Sequence, residues 1–171
     1  FTAPLIHGDF KHLFANSGPL LFLGAGIGYF FPQKKFSIWL MAWFFTGFLV
    51  WLAGRESYHI GASGIVYCFA SFLFFSGIIK RNTPLMAISL LVAFLYGGMF
   101  WGILPTKPQI SWEAHLMGFL VGIVAAYRFR HFGPQRHQYP WENDEDDDDP
   151  EPFQSDNSLN SSDVHYHYRE D

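Results

Sequence analysis

Cysteine occurs once, at Cys68 inside an apolar run, which excludes a disulfide framework or a cysteine-based metal site within one chain. No H-E-x-x-H pattern is present, which removes the zinc-peptidase arrangement of two histidines on one helix face. Acidic residues are nearly missing before residue 138. Asp9, Glu56 and Glu113 are all there are, so a catalytic pair of membrane-embedded aspartates is excluded as well. Also absent are polar helix faces with charge pairs four residues apart, which a soluble bundle turns toward water.

What is present is apolar bulk, unevenly placed. Half of the 171 residues are hydrophobic, with 20 Phe and 16 Gly, and nearly all of the Leu, Ile, Phe and Gly precede residue 132. Up to His137 there are 10 Lys/Arg against 3 Asp/Glu, a net +7, whereas from Gln138 onward one Arg faces 12 Asp/Glu, a net −11. The overall −4 describes neither half. Residues 1–131 read as an all-α, polytopic membrane helix bundle. Residues 132–171 read as a disordered acidic tail, since Glu142–Asp149 has nothing to bury. The His165-Tyr166-His167 pattern in that tail is assigned no chemistry.

A transmembrane helix needs about 17–25 mostly apolar residues. Five segments meet or approach this: Leu13–Phe31, Phe36–Ala53, Ser63–Ile79, Leu85–Leu104 and Ile110–Tyr127. Short breaks carrying Pro, Gly or charge separate them. Alternate breaks hold Lys34, Lys35, Lys80 and Arg81, then Arg128, Arg130 and Arg136, against only Lys11, Arg55 and Lys107 on the other side. The basic residues therefore place the first set, and the tail, in the cytoplasm. Gly118-x-x-x-Gly122 is a small-residue pattern that lets membrane helices approach closely.

Polar and ionisable residues inside membrane spans are costly and mark functional sites. Here they stand at the entrances of the first, third and fifth spans: His7, His12 and Asn16; Ser63; Glu113 and His115. These spans descend from one face, so the topology gathers the group at a common depth near the outer surface. A serine hydroxyl is a weak nucleophile until a base takes its proton, and histidine is the usual base near neutral pH. Acyl transfer also needs donors aimed at the oxyanion. His12, Asn16 and the Ser63 N–H at a helix N-terminus can serve, with Gly61 and Gly64 allowing a sharp turn and close approach. Taken singly, each residue has a plainer reading. Ser63 suits a helix N-cap, Asn16 an interhelical hydrogen bond, and His7 a structural or loop position. Glu113, two before His115, does not share its helix face and reads as an exposed or loop-facing carboxylate. His59 lies in the outer loop, with no partner assigned to it.

Gly61-x-Ser63-Gly64 with Tyr67, Ala114-His115-x-x-Gly118, and His7-x4-His12-x3-Asn16 together resemble the rhomboid family of intramembrane serine proteases. The resemblance covers residues 1 to about 131. It implies a Ser63–His115 dyad without a third acid, an oxyanion site from His12, Asn16 and the Ser63 N–H, and Tyr67 stacked on His115. It further implies that Gly61 shapes the substrate groove, that Gly118 packs the two catalytic helices, and that His7 is structural. The expected partners are the lipid bilayer and transmembrane segments of other proteins, with no nucleic acid, metal or cofactor. A bacterial cell membrane is the expected location. The family has six core helices, and five are visible here. Phe1-Thr2-Ala3-Pro4 reads as the middle of a longer chain, with the first core helix and its long loop expected upstream. A rhomboid-like protein that binds client helices without cleaving them is the alternative.

Overall fold

The computed structural model describes residues 2–56, 59–95, 99–105 and 111–134. The acidic run Glu142–Asp149, and the disorder expected of it, lie outside the described residues. Among the described residues a short 3-10 turn, Ala3–Leu5, precedes six α-helical segments: α1 (Phe10–Phe30), α2 (Lys35–Ala53), α3 (Ser63–Lys80), α4 (Thr83–Leu95), α5 (Met99–Gly102) and α6 (Trp112–Arg128). Among the described residues there is no strand. The all-helical bundle expected from the apolar runs is what forms.

Among the described residues three helices, α1, α2 and α3, are long and apolar enough to cross a membrane. The first begins at Phe10, one turn before the apolar run, because the Asp9 side chain accepts from the His12 N–H at 2.7 Å and caps the helix. Within the expected span Leu85–Leu104 the described residues form α4 and α5, and residues 96–98 lie outside the described set. Ile110, where the last span was expected to start, is also outside it, and α6 starts at Trp112.

The order of burial runs from α3 outward. Twelve of the eighteen residues of α3 are buried, against three of the nineteen of α2, so α3 is the central helix and α2 turns much of its surface outward. Aromatic edges fill the space around α3. Phe72 meets Phe31 at 4.8 Å and Phe69 meets Trp39 at 4.7 Å, in edge-to-face geometry favoured by the ring quadrupoles. Exposed Phe, Leu and Trp on α1 and α2, such as Phe14, Leu21, Leu40 and Trp51, present apolar surface where a bilayer would lie.

Helix α3 meets α6 by backbone rather than by large side chains. A Cβ added at Gly118 would overlap the Gly64 carbonyl oxygen, and one at Gly122 would overlap Ser71 Oγ and the Cys68 carbonyl. Ser71 Oγ donates across the crossing to the Phe119 carbonyl at 2.9 Å. At the far end of the bundle the buried Lys80 ammonium donates to the Arg130 carbonyl at 2.6 Å. In a bilayer there is no hydrophobic drive between helices, so such close approach and interhelical bonds supply the adhesion.

Gly118→Ala is expected to cost roughly 1–3 kcal/mol, because the new methyl meets backbone that cannot rotate away. Gly28→Ala, where a Cβ meets nothing within 4 Å, is expected to be neutral or to stabilise by up to about 1 kcal/mol through helix propensity. Thermal unfolding of both variants in one detergent checks this, and equal midpoints would show that the crossing is not backbone-tight.

Candidate active site

Ser63 is the first residue of α3, and the preceding Ala62 makes no side-chain cap. The hydroxyl is therefore not spent on capping its own helix. It lies 2.8 Å from His115 Nε2, in the first turn of α6. The other ring nitrogen, Nδ1, lies 2.8 Å from the carbonyl oxygen of Gly102 at the end of α5. A carbonyl can only accept, so Nδ1 carries the proton and Nε2 presents its lone pair to the serine hydroxyl, which donates. Tyr67, one turn into α3, stacks on the imidazole with centroids 4.3 Å apart and planes inclined by 16°. The ring of the buried His115 is thus held by a hydrogen bond on one edge and by an aromatic face.

The loop that delivers Ser63 passes under α1. Gly61 has φ +99°, in the left-handed region where glycine is favoured. A Cβ there would sit 2.6 Å from His12 Nε2 and 3.2 Å from Asn16 Nδ2. Both side chains therefore overhang the turn immediately before Ser63. Asn16 is buried, and its amide donates to the His12 carbonyl at 3.1 Å, which fixes its rotamer. His7 packs edge-on against His12 at 5.2 Å, and its Nε2 is buried with no partner among the described residues. The Gly61 N–H donates to the Ala3 carbonyl at 2.9 Å, anchoring the loop to the chain's first turn. Gly64 sits beneath the site, where a Cβ would meet Thr46 Cγ2 at 2.9 Å and the Ala114 carbonyl at 3.0 Å. Ser63, His115, Tyr67, Gly61, Gly64, Gly118, His12, Asn16 and His7 are thereby brought to one end of the bundle.

Two features were not foreseen from the sequence. The Gly102 carbonyl carries no sequence signal, because every residue owns one. Glu113, expected to be exposed or loop-facing, is instead 3% exposed, and its Oε1 lies 2.9 Å from Arg55 Nε. The spacing reasoning holds as far as it went, since Glu113 does not share a face with His115. Its partner comes from a distant loop. His59, also set aside, bonds through Nδ1 to the Ser111 hydroxyl, and its Nε2 lies 3.0 Å from the Arg55 carbonyl. Among the described residues, no three His, Cys, Asp or Glu side chains converge as a metal-ligand set.

Residues 1–132 match the family model described as the Rhomboid domain. Uncharacterized proteins of Mycobacterium bovis and Mycobacterium tuberculosis are 38% identical over 141 residues, an alignment covering 73% of this chain and 56% of theirs. An uncharacterized protein of Mycobacterium leprae is 36% identical over 135 residues, covering 73% of this chain and 53% of its own. The chain spans about half the length of the curated relatives it matches. No solved structure matches it. Since the family-model match spans residues 1–132, the chain belongs to the rhomboid family.

Proposed function

We infer that the protein is an intramembrane serine endopeptidase that cleaves transmembrane segments of other proteins near their exposed end. The observation that carries this reading is the 2.8 Å contact of Ser63 Oγ with a His115 Nε2 whose tautomer is set by the Gly102 carbonyl. In the proposed reaction His115 takes the Ser63 proton as the hydroxyl oxygen attacks the scissile carbonyl. The negative charge that develops is met by His12, Asn16 and the Ser63 N–H, which lies in the first turn of α3 where amides have no intrahelical partner. His115 then returns its proton to the leaving amine, which frees an acyl-enzyme ester. A water molecule, deprotonated by the same ring, releases the second product and restores the serine.

Orientation follows the same reading. Lys34, Lys35, Lys80, Arg81, Arg128 and Arg130 sit at the helix ends remote from Ser63. The excess of positive charge on the cytoplasmic side of membrane proteins places that end, and the acidic tail, in the cytoplasm. The dyad then lies near the outer face of a bacterial cell membrane.

Ser63→Ala and His115→Ala are each expected to abolish cleavage of a single-span substrate and labelling by a serine-directed fluorophosphonate. Cleavage by purified Ser63→Ala protein would end the serine mechanism. A folded wild type that is never labelled would point to a client-binding protein instead.

Removing one oxyanion donor, by His12→Ala or Asn16→Ala, is expected to lower the rate about 10²–10³-fold. An undiminished kcat in both would take these residues out of the site. Tyr67→Phe keeps the stacked ring and is expected to retain most of the rate. Tyr67→Ala is expected to lose about tenfold, matching the ~0.5–1.5 kcal/mol of an aromatic stack.

A further inference from the structure

The two halves of the dyad arrive from different directions. The α2–α3 loop delivers Ser63, and the first turn of α6 delivers His115. The Gly64–Gly118 contact fixes the helix axes just below, at the residue after Ser63 and one turn beyond His115, but helix ends fray, and both reacting side chains sit on a helix end. Something must hold the loop to the turn at the level of the chemistry itself.

Two polar links do so, and a third stiffens the loop between them. Arg55 Nε lies 2.9 Å from Glu113 Oε1. The Arg55 carbonyl accepts from His59 Nε2 at 3.0 Å, which places the imidazole proton on Nε2 and leaves Nδ1 to accept from the Ser111 hydroxyl. The chain is drawn tight enough at this point that a Cβ on Gly54 would stand 3.0 Å from His59 Nε2. Loop residues 55 and 59 are thereby tied to residues 111 and 113 of the α6 entrance. His59 is four residues from Ser63, and Glu113 is two from His115.

The ion pair is placed unlike a surface one. Glu113 is 3% exposed while the Arg55 side chain keeps 40% exposure, so the carboxylate is carried inside and the guanidinium reaches in from the rim. A buried carboxylate is costly without a partner. The pair therefore holds the loop wherever Glu113 is held, and Glu113 is fixed to the same helical turn as His115.

We propose that Arg55, His59 and Glu113 form a latch that sets the Ser63–His115 distance, as positioning residues that act through the dyad and do not touch the substrate. The latch rests on the protease reading given above. A displacement of about 1 Å in a reacting group can cost about 10²-fold in rate, so loosening the latch is read in turnover before it is read in binding.

The test uses full-length protein in detergent, comparing wild type with Arg55→Ala, Arg55→Lys, Glu113→Gln and His59→Ala. Rates are taken per folded molecule, with the folded fraction from gel filtration and the Tm recorded for each. Arg55→Ala and Glu113→Gln are expected to lower kcat and the fluorophosphonate labelling rate together, by about tenfold to a hundredfold. KM should stay within about twofold, as befits an interaction felt only in the reacting complex. His59→Ala should lose less, and Arg55→Lys should recover most of the loss because it keeps a cation against Glu113. Variants with a lowered Tm but wild-type kcat and labelling per folded molecule would reduce the pair to a structural element and overturn the latch. Arg55→Lys behaving like Arg55→Ala would overturn the charge pairing as its basis. A wild type that neither cleaves nor is labelled sinks the protease reading and the latch with it, whereas an active wild type matched by its variants sinks the latch alone.

Discussion

Glycine facing glycine across α3 and α6 is the contact on which the rest depends. The Gly64 carbonyl occupies the volume that any side chain at position 118 would need. That leaves the two helices no freedom to separate by the width of a methyl group and keep their packing. Ser71 to Phe119 and Lys80 to Arg130 repeat the attachment lower down, each with a side chain that reaches a carbonyl of the other strand of chain. Ser63 and His115 stand at the top of this pinned crossing. The close approach of the backbones brings these two side chains within hydrogen-bonding reach of each other.

The His115 ring is oriented without placing a charge beside it. A backbone carbonyl fixes the tautomer as well as a carboxylate would, since the only requirement is an acceptor at Nδ1. In a low-dielectric setting the neutral group is the cheaper choice, because an ionised group beside Ser63 and His115 would itself need a partner. The one buried carboxylate close in sequence, Glu113, is turned to Arg55. Ring orientation and loop attachment are thus separate tasks assigned to separate groups.

The helices were legible because a membrane span is written in composition, and the apolar runs stand out against breaks of Lys, Arg and Pro. Their ends were less legible. Asp9 extends α1 by capping it, and capping is a property of one side chain and one N–H, not of the run that follows. The gathering of Ser63, His115, His12 and Asn16 could be read from topology alone, as alternate crossings return the chain to one level. Gly102 could not, since its contribution is main-chain. Glu113 was misjudged because helical periodicity compares neighbours on one helix, and Arg55 belongs to a loop that only the folded chain brings near. Sequence spacing reports which faces exist, but not what is opposite them.

The contacts among Asn16, Gly61, Ser63 and His115 show that α1, α3 and α6 all begin at the same end of the bundle. Each helix N-terminus carries roughly half a unit of positive charge from its unpaired amides. Two of the three are compensated. Asp9 accepts from the first turn of α1, and Glu113 lies in the first turn of α6. The third is not, for α3 opens on Ala62 with no side-chain cap and no acidic residue in its first turn. Leaving that end bare costs the helix about 1 kcal/mol relative to a capped one. A serine at its first position could have been shifted by one residue to supply the cap. It is spent on His115 instead, and the uncompensated amides are left facing the place where the proposed reaction develops negative charge.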